Sequence, residues 1–270
     1  MLIWVNGEAC DQLHATDRGL AYGDGLFETI KVVDAKPLRL ERHLARLAKG
    51  CRRLLLPIDL ESITQELEQF AKLLVNGVMK LTVTRGCGQR GYTLPQPTVV
   101  TRILQGSALP NYPIAHFEQG VVLFACQTRL AAQPLLAGLK HLNRLEQVLA
   151  RAEWSDPAYA EGLLCDYQGN VIEGVFSNVF IVKDGQLLTP LLDQCGVAGI
   201  MRSAILDQAQ LHSIPYKEAN ISIQALKAAD EVFVCNSLYG IWPVKQWGQV
   251  QWAVGPLTRR LQSLINTPLD

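Results

Sequence analysis

The chain carries no net charge: Lys plus Arg and Asp plus Glu each number 25 in 270 residues. Without a basic excess there is no electrostatic footprint for nucleic acid or an acidic membrane surface, and neither partner is expected. No stretch approaches the ~18 consecutive apolar residues that span a bilayer. The opening MLIWVNGEAC lacks both a basic n-region and a long apolar h-region, so no signal peptide is expected and a cytoplasmic location is. None of the seven cysteines, at 10, 51, 87, 126, 165, 195 and 235, stands in C-x-x-C spacing with another. That argues against a zinc site and a disulfide framework, and leaves free thiols buried in apolar strands of a protein kept reduced. Internal repeats and low-complexity tracts are missing too.

What is present is ample core material. Apolar residues make up 49% of the chain, enough for one large or two smaller domains. LIWVNGEAC reads as a hairpin turning at Asn6-Gly7, and GLFETIKVVDAKPLRL continues as strand with a turn at DAKP. LERHLARLAKGCRRLLL has helical spacing, weakened or ended at Gly50. DLESITQELEQFAKLLV is a second amphipathic helix, with Asp59 as its cap. GVMKLTVTRGCGQRGY and PTVVTRILQ supply two more strands around a glycine-rich loop. Proline, glycine and polar residues then cluster, which marks residues 109–119 as a linker between an N-terminal domain (1–108) and a β-rich C-terminal domain (120–270). The fold class is α+β over two domains.

Four features carry chemistry on their residues alone. Lys140, in GLKHLNRLEQVLAR, stands at the mouth of a helix expected over HLNRLEQVLARAEW (141–154). The positive end of a helix disfavours a cation there and favours the neutral amine of a nucleophile, although a plain surface lysine fits as well. Glu173 interrupts an alternating apolar strand, so it is either exposed just past a hairpin turn or paired with a buried cation. GVAGIMRSAIL places two glycines ahead of a helix, which makes either an anion site at the free amides or an ordinary tight turn. Arg46 lies on a helix rich in other basic residues and on that evidence reads as part of a solvated face, with a phosphate-binding arginine as the alternative. An amine, an acid, a phosphate cradle and a spare arginine are together what pyridoxal phosphate needs.

The chain resembles the fold-type IV pyridoxal-phosphate enzymes, the group of branched-chain and D-amino-acid aminotransferases and 4-amino-4-deoxychorismate lyase. The resemblance runs along nearly the whole length, through DRGLAYGDGLFETIKV (17–32), RLERHLARL (39–47), GLKHLNRLEQVLAR (138–151), VIEGVFSNVF (171–180), GVAGIMR (196–202) and ADEVFVCNSLYGIWPV (229–244). KHLNRLEQVLAR, with RGCGQRGY at 85–92, is more similar to the lyases than to the aminotransferases. The resemblance implies an α/β N-terminal domain, and a C-terminal pseudo-barrel that carries the Schiff-base lysine. It implies pyridoxal 5′-phosphate as cofactor and a homodimer. It also implies a lyase releasing 4-aminobenzoate and pyruvate from 4-amino-4-deoxychorismate for folate synthesis, with an aminotransferase as the alternative.

Residue by residue, the resemblance makes Lys140 the Schiff-base amine and Glu173 the acid at the pyridine nitrogen. Arg46, the amides of Ile200 and Met201, and Ser237 fall at the phosphate, with Asn178 and Asn236 also on the cofactor. Thr29 faces the substrate. Arg90 and Tyr92 are the candidates for its carboxylates. Met201 stands where the aminotransferases commonly have Thr, so a backbone contact survives there and a hydroxyl contact does not.

Overall fold

A computed structural model describes residues 2–266. The chain clusters into two compact units, Met1–Asn111 with Leu139–Asn143, and Tyr112–Gly138 with Arg144–Asp270.

The first unit begins with the expected hairpin of β1 (Leu2–Val5) and β2 (Glu8–Ala9), whose turn residues Asn6 and Gly7 have positive φ. A short helix α1 (Arg18–Tyr22) is capped by the Asp17 carboxylate and leads into β3 (Gly25–Val33) and β4 (Lys36–Pro37). Helices α2 (Leu40–Arg53) and α3 (Leu60–Leu74) follow, then β5 (Gly77–Thr84) and β6 (Thr101–Ser107). The Asp59 side chain accepts from two first-turn amides of α3, as expected of a cap. The six strands form an antiparallel sheet in the order β2-β1-β6-β5-β3-β4. Its core holds Ile30, Leu47, Ile63, Leu67, Phe70, Met79 and Leu104, each at most 1% exposed.

Gly50 does not end α2; the helix passes through it. A Cβ at that position would lie 2.7 Å from Leu26 Cδ1, so glycine is there to let the helix approach β3 closely.

The second unit has α4 (Ile114–Glu118) inside the stretch expected to be a linker, then β7 (Val121–Leu130), α5 (Leu145–Arg151), β8 (Tyr159–Asp166), β9 (Asn170–Gly174), β10 (Asn178–Lys183) and β11 (Gln186–Pro190). It continues through α6 (Ile200–Leu211), β12 (Tyr216–Ala219), β13 (Ile221–Ser222), α7 (Ile223–Lys227), β14 (Glu231–Asn236), β15 (Gly240–Trp247), β16 (Val250–Gln251) and α8 (Pro256–Asn266). Strands β10, β14, β15, β7, β8 and β9 pair in that order, and a last pairing of Asn178 with Glu173 joins β9 back to β10. The sheet is thereby closed, the pseudo-barrel that the resemblance implied. Apolar side chains of alternate phase, among them Val179, Val232, Val234 and Val244, pack on one face. Phe180, Phe233, Ile205 and Leu261 pack on the other, against α6 and α8.

Two expectations change here. The helix expected over 141–154 spans only Leu145–Arg151, and Lys140 precedes it in extended chain. The helix-field argument for a reactive amine therefore does not apply. The segment bearing Lys140 also clusters with the first unit and not with the C-terminal one. The physical reason is backbone pairing: the Phe27 N–H donates to the Lys140 carbonyl at 2.9 Å, and the Leu142 N–H donates to the Gly25 carbonyl at 3.0 Å. Those bonds hold residues 139–143 extended along β3 against their helical periodicity.

Candidate active site

In the first unit, the site is organised by the alternation of β3. Leu26, Glu28, Ile30 and Val32 are buried on one face, while Phe27, Thr29 and Lys31 lie half-buried on the other. Lys140 Nζ sits 4.2 Å from the centroid of the Phe27 ring, within cation–π range. Thr29 follows two residues along the same side of the strand. A residue that the sequence reading passed over joins them. Lys80 pairs with Thr29 across β5, and its Nζ lies 5.4 Å from the same Phe27 ring. Nothing in its local sequence distinguished it from a solvated lysine.

The buried face of β3 explains Arg46. Glu28, 2% exposed, takes a hydrogen bond from Arg46 Nε at 2.8 Å and another from Arg46 Nη2 at 2.5 Å. Its Oε2 also lies 2.6 Å from His43 Nδ1. Burial alone would raise the Glu28 carboxyl, but the Arg46 charge and the bonds from His43 and Arg46 outweigh it and hold the group at about 2. Arg46 is therefore a gripped, mostly buried guanidinium and not part of a solvated face. Burial lowers His43 from its ordinary value, with the nearby Arg46 and Lys140 charges adding to that and Glu28 opposing it.

Arg90 and Tyr92 lie on the loop between β5 and β6. Arg90 is exposed and Tyr92 is 85% exposed.

In the second unit, Glu173 is 3% exposed at the end of β9, so it is the buried alternative of the two readings. Its Oε2 accepts from the Val197 N–H at 2.8 Å, and its Oε1 accepts from Gln147 Nε2 at 3.3 Å. Arg144 supplies a nearby positive charge: burial lowers Arg144, and Glu173 and Glu146 oppose that lowering. Asn178, the register partner of Glu173, donates from Nδ2 to the Val197 carbonyl at 2.8 Å. The two side chains thus hold both polar groups of Val197, and with it the loop that starts α6.

That helix start is the stretch read as either an anion site or an ordinary tight turn. Gly199 is its N-cap and offers no side-chain cap to the first amides, those of Ile200 and Met201. A Cβ at Gly199 would stand 2.0 Å from Asn178 Oδ1, so only glycine fits. The Met201 side chain is packed in the core with Phe180 and Ile205. Asn236 closes a turn by accepting from the Leu238 and Tyr239 amides, and donates to the Phe176 carbonyl at 3.3 Å. Ser237 is half-buried on that turn. Glu173 and Asn178 are linked through Val197.

A matching family model, amino-transferase class IV, covers residues 25–247. The chain belongs to that family. It is 37% identical over 273 residues to an aminodeoxychorismate lyase of Vibrio harveyi, across 98% of this chain and 100% of that one. The crystal structure of 4-amino-4-deoxychorismate lyase from Pseudomonas aeruginosa is similar with a TM-score of 0.98 and 56% identity, each chain covered in full. A D-alanine aminotransferase of Staphylococcus epidermidis is 30% identical, across 96% of this chain and 95% of that one.

The residues present suit pyridoxal phosphate in donor type. Beside Glu173, Gln147 Oε1 is buried with no hydrogen-bond partner among the described residues, a polar orphan suited to an N–H or O–H donor. The first α6 amides and the glycine cradle suit a phosphate.

Proposed function

We propose that the protein is a pyridoxal-phosphate-dependent aminodeoxychorismate lyase, converting 4-amino-4-deoxychorismate to 4-aminobenzoate and pyruvate. The observation that carries this reading is full-length similarity to lyases, 56% identical in the P. aeruginosa structure. The cofactor's ring end would be held by Glu173. Its phosphate end would be held by Arg46, Asn178, the Ile200 and Met201 amides, and the Asn236–Ser237 turn. Lys140 would hold its reactive carbon. When bound, pyridoxal phosphate supplies an electron sink for the pair released at the substrate carbon.

The chain's own residues do the rest. Lys140 Nζ, once free, takes the proton from the ring carbon that bears the substrate amine. The Phe27 ring beneath it steadies the ammonium that results. Loss of the enolpyruvyl ether then aromatises the ring, and Thr29 or Lys140 hands a proton to the leaving enolpyruvate. The substrate's carboxylates would meet Arg90 and Tyr92, with Lys80 as a further cation beside Thr29.

The aminotransferase reading uses the same lysine and acid, and draws on the D-alanine aminotransferase relatives. The purified enzyme is expected to release 4-aminobenzoate and pyruvate from aminodeoxychorismate. Fast transamination of D-alanine or branched-chain amino acids with 2-oxoglutarate, without that release, would reverse the assignment. Lys140→Ala is expected to remove the cofactor's visible absorbance band and to lower turnover by about 10³-fold or more. A variant that keeps both band and turnover excludes Lys140.

We place the enzyme in the cytoplasm as a homodimer. In support, five of the seven thiols are buried and unpaired. Leu145, Val148 and Leu149 of α5 are 75%, 61% and 62% exposed, an apolar face suited to burial by a second copy. Light scattering should give twice the 29.8 kDa chain mass.

A further inference from the structure

The loop carrying Arg90 and Tyr92 is exposed, yet its backbone is tied down by residues of the DRGLAYGDG stretch that the chemistry above does not use. Gly91 lies between the two candidate substrate contacts, and both of its polar groups are taken. Its carbonyl accepts from Arg18 Nη1 at 2.9 Å, and its N–H donates to the Tyr22 hydroxyl at 3.2 Å. Gly91 has φ +106°, with nothing within 4 Å of where a Cβ would be. It is glycine for its backbone conformation and not for want of space.

Arg18 is itself fixed from every side. It is only 4% exposed, its Nε donates to Asp24 Oδ2 at 3.0 Å, and its guanidinium lies 4.8 Å from the centroid of the Tyr22 ring. Asp24 is held in turn by Arg85, through Nε at 2.7 Å and Nη2 at 3.0 Å. Further along, the Gly86 carbonyl accepts from the Arg18 N–H at 2.9 Å, and the Gly88 N–H donates to the Thr16 carbonyl at 3.3 Å. The Tyr22 and Tyr92 rings lie 5.5 Å apart. A buried arginine whose fork reaches one loop carbonyl and one carboxylate is a costly way to hold an ordinary surface loop.

We propose that Arg18 is a specificity-determining positioning residue, which sets through Gly91 where Arg90 and Tyr92 stand for the carboxylates of the substrate. The proposal rests on the reading that those two residues bind the carboxylates. Arg18 touches neither substrate nor cofactor. It removes the need to order the loop when a carboxylate-bearing substrate arrives, and so acts on binding and not on bond breaking.

The test measures KM and kcat for aminodeoxychorismate, and melting temperature, on three holoenzyme variants. Arg18→Lys keeps the charge at Asp24 but lacks the fork that spans to Gly91. Tyr22→Phe removes only the hydroxyl that accepts from Gly91, on a side chain already 37% exposed. Arg90→Ala is the reference. Expected is a rise in KM of about tenfold for Arg18→Lys and a smaller rise for Tyr22→Phe, with kcat within about twofold. That is the order expected when two side chains must be immobilised on binding. Should Arg18→Lys fold poorly, Tyr22→Phe alone decides the matter. Unchanged KM in Tyr22→Phe and in any folded Arg18→Lys, beside a raised KM in Arg90→Ala, overturns the positioning role. Loss confined to kcat overturns it too. Unchanged KM in Arg90→Ala overturns instead the carboxylate reading beneath it.

Discussion

Glu28 explains why Arg46 is not part of the solvated face that its basic neighbours suggest. Arg46 was assigned to the cofactor phosphate only through the family resemblance, because its basic neighbours on α2 resemble a solvated face. The partner that removes it from that face was legible by a plainer rule. In GLFETIKV, Glu28 stands in phase with Leu26, Ile30 and Val32, as a charge on the buried side of a strand. The same rule had picked out Glu173. Folding lowers the Glu28 carboxyl from an ordinary 4.5 to about 2. The ionised form is thus favoured in the fold. Its contribution, roughly 3 kcal/mol, is complete above pH 4.5 and is lost as pH falls toward 2. Glu28→Gln should be less stable at neutral pH, yet should lose less stability than the parent between pH 4.5 and 2.5 in urea unfolding. Equal losses would show that Glu28 is not the group responsible.

At the scale of elements, strands and turns were more legible than the helix beside the key lysine. Alternation and turn residues marked β1 to β6 because each strand's own pattern agrees with its partners. Residues 139–143 carry a helical pattern, and pairing with β3 overrides it; no local feature announces a pairing with residues so far back in the chain. The start of α6 was legible from its glycines, but not the pair of side chains that grips it. Gly199→Ala should push Asn178 off the Val197 carbonyl. Pyridoxal phosphate affinity should then fall about tenfold, the worth of one displaced hydrogen bond, with the far-UV circular dichroism unchanged. Unaltered affinity in a fluorescence titration would show that the loop tolerates the change.

For the molecule as a whole, the thiols give a count that reports on packing. Cys51, Cys126, Cys165, Cys195 and Cys235 are buried, and burial pushes the first two and Cys195 up to about 12. Cys10 and Cys87 are exposed. A thiol reagent should therefore titrate two groups quickly in the native protein and seven after denaturation; rapid reaction of more than two at neutral pH would mean a looser core. Among the described residues, no helix is long and apolar enough to cross a membrane.

A division into two domains was expected from the β-rich texture that follows the prolines. The return of residues 139–143 to the first unit was not, because a change of composition cannot reveal a chain that goes back. That return has a consequence for synthesis. A ribosome delivers residues in order, at ~5–20 per second. When residue 111 has emerged, the first unit still lacks the strip that pairs with β3, and it must wait while β7 is made. Until then the exposed side of β3 has no partner from Lys140 or Leu142. A nascent chain paused between residues 111 and 139 would thus offer that strand edge to other chains.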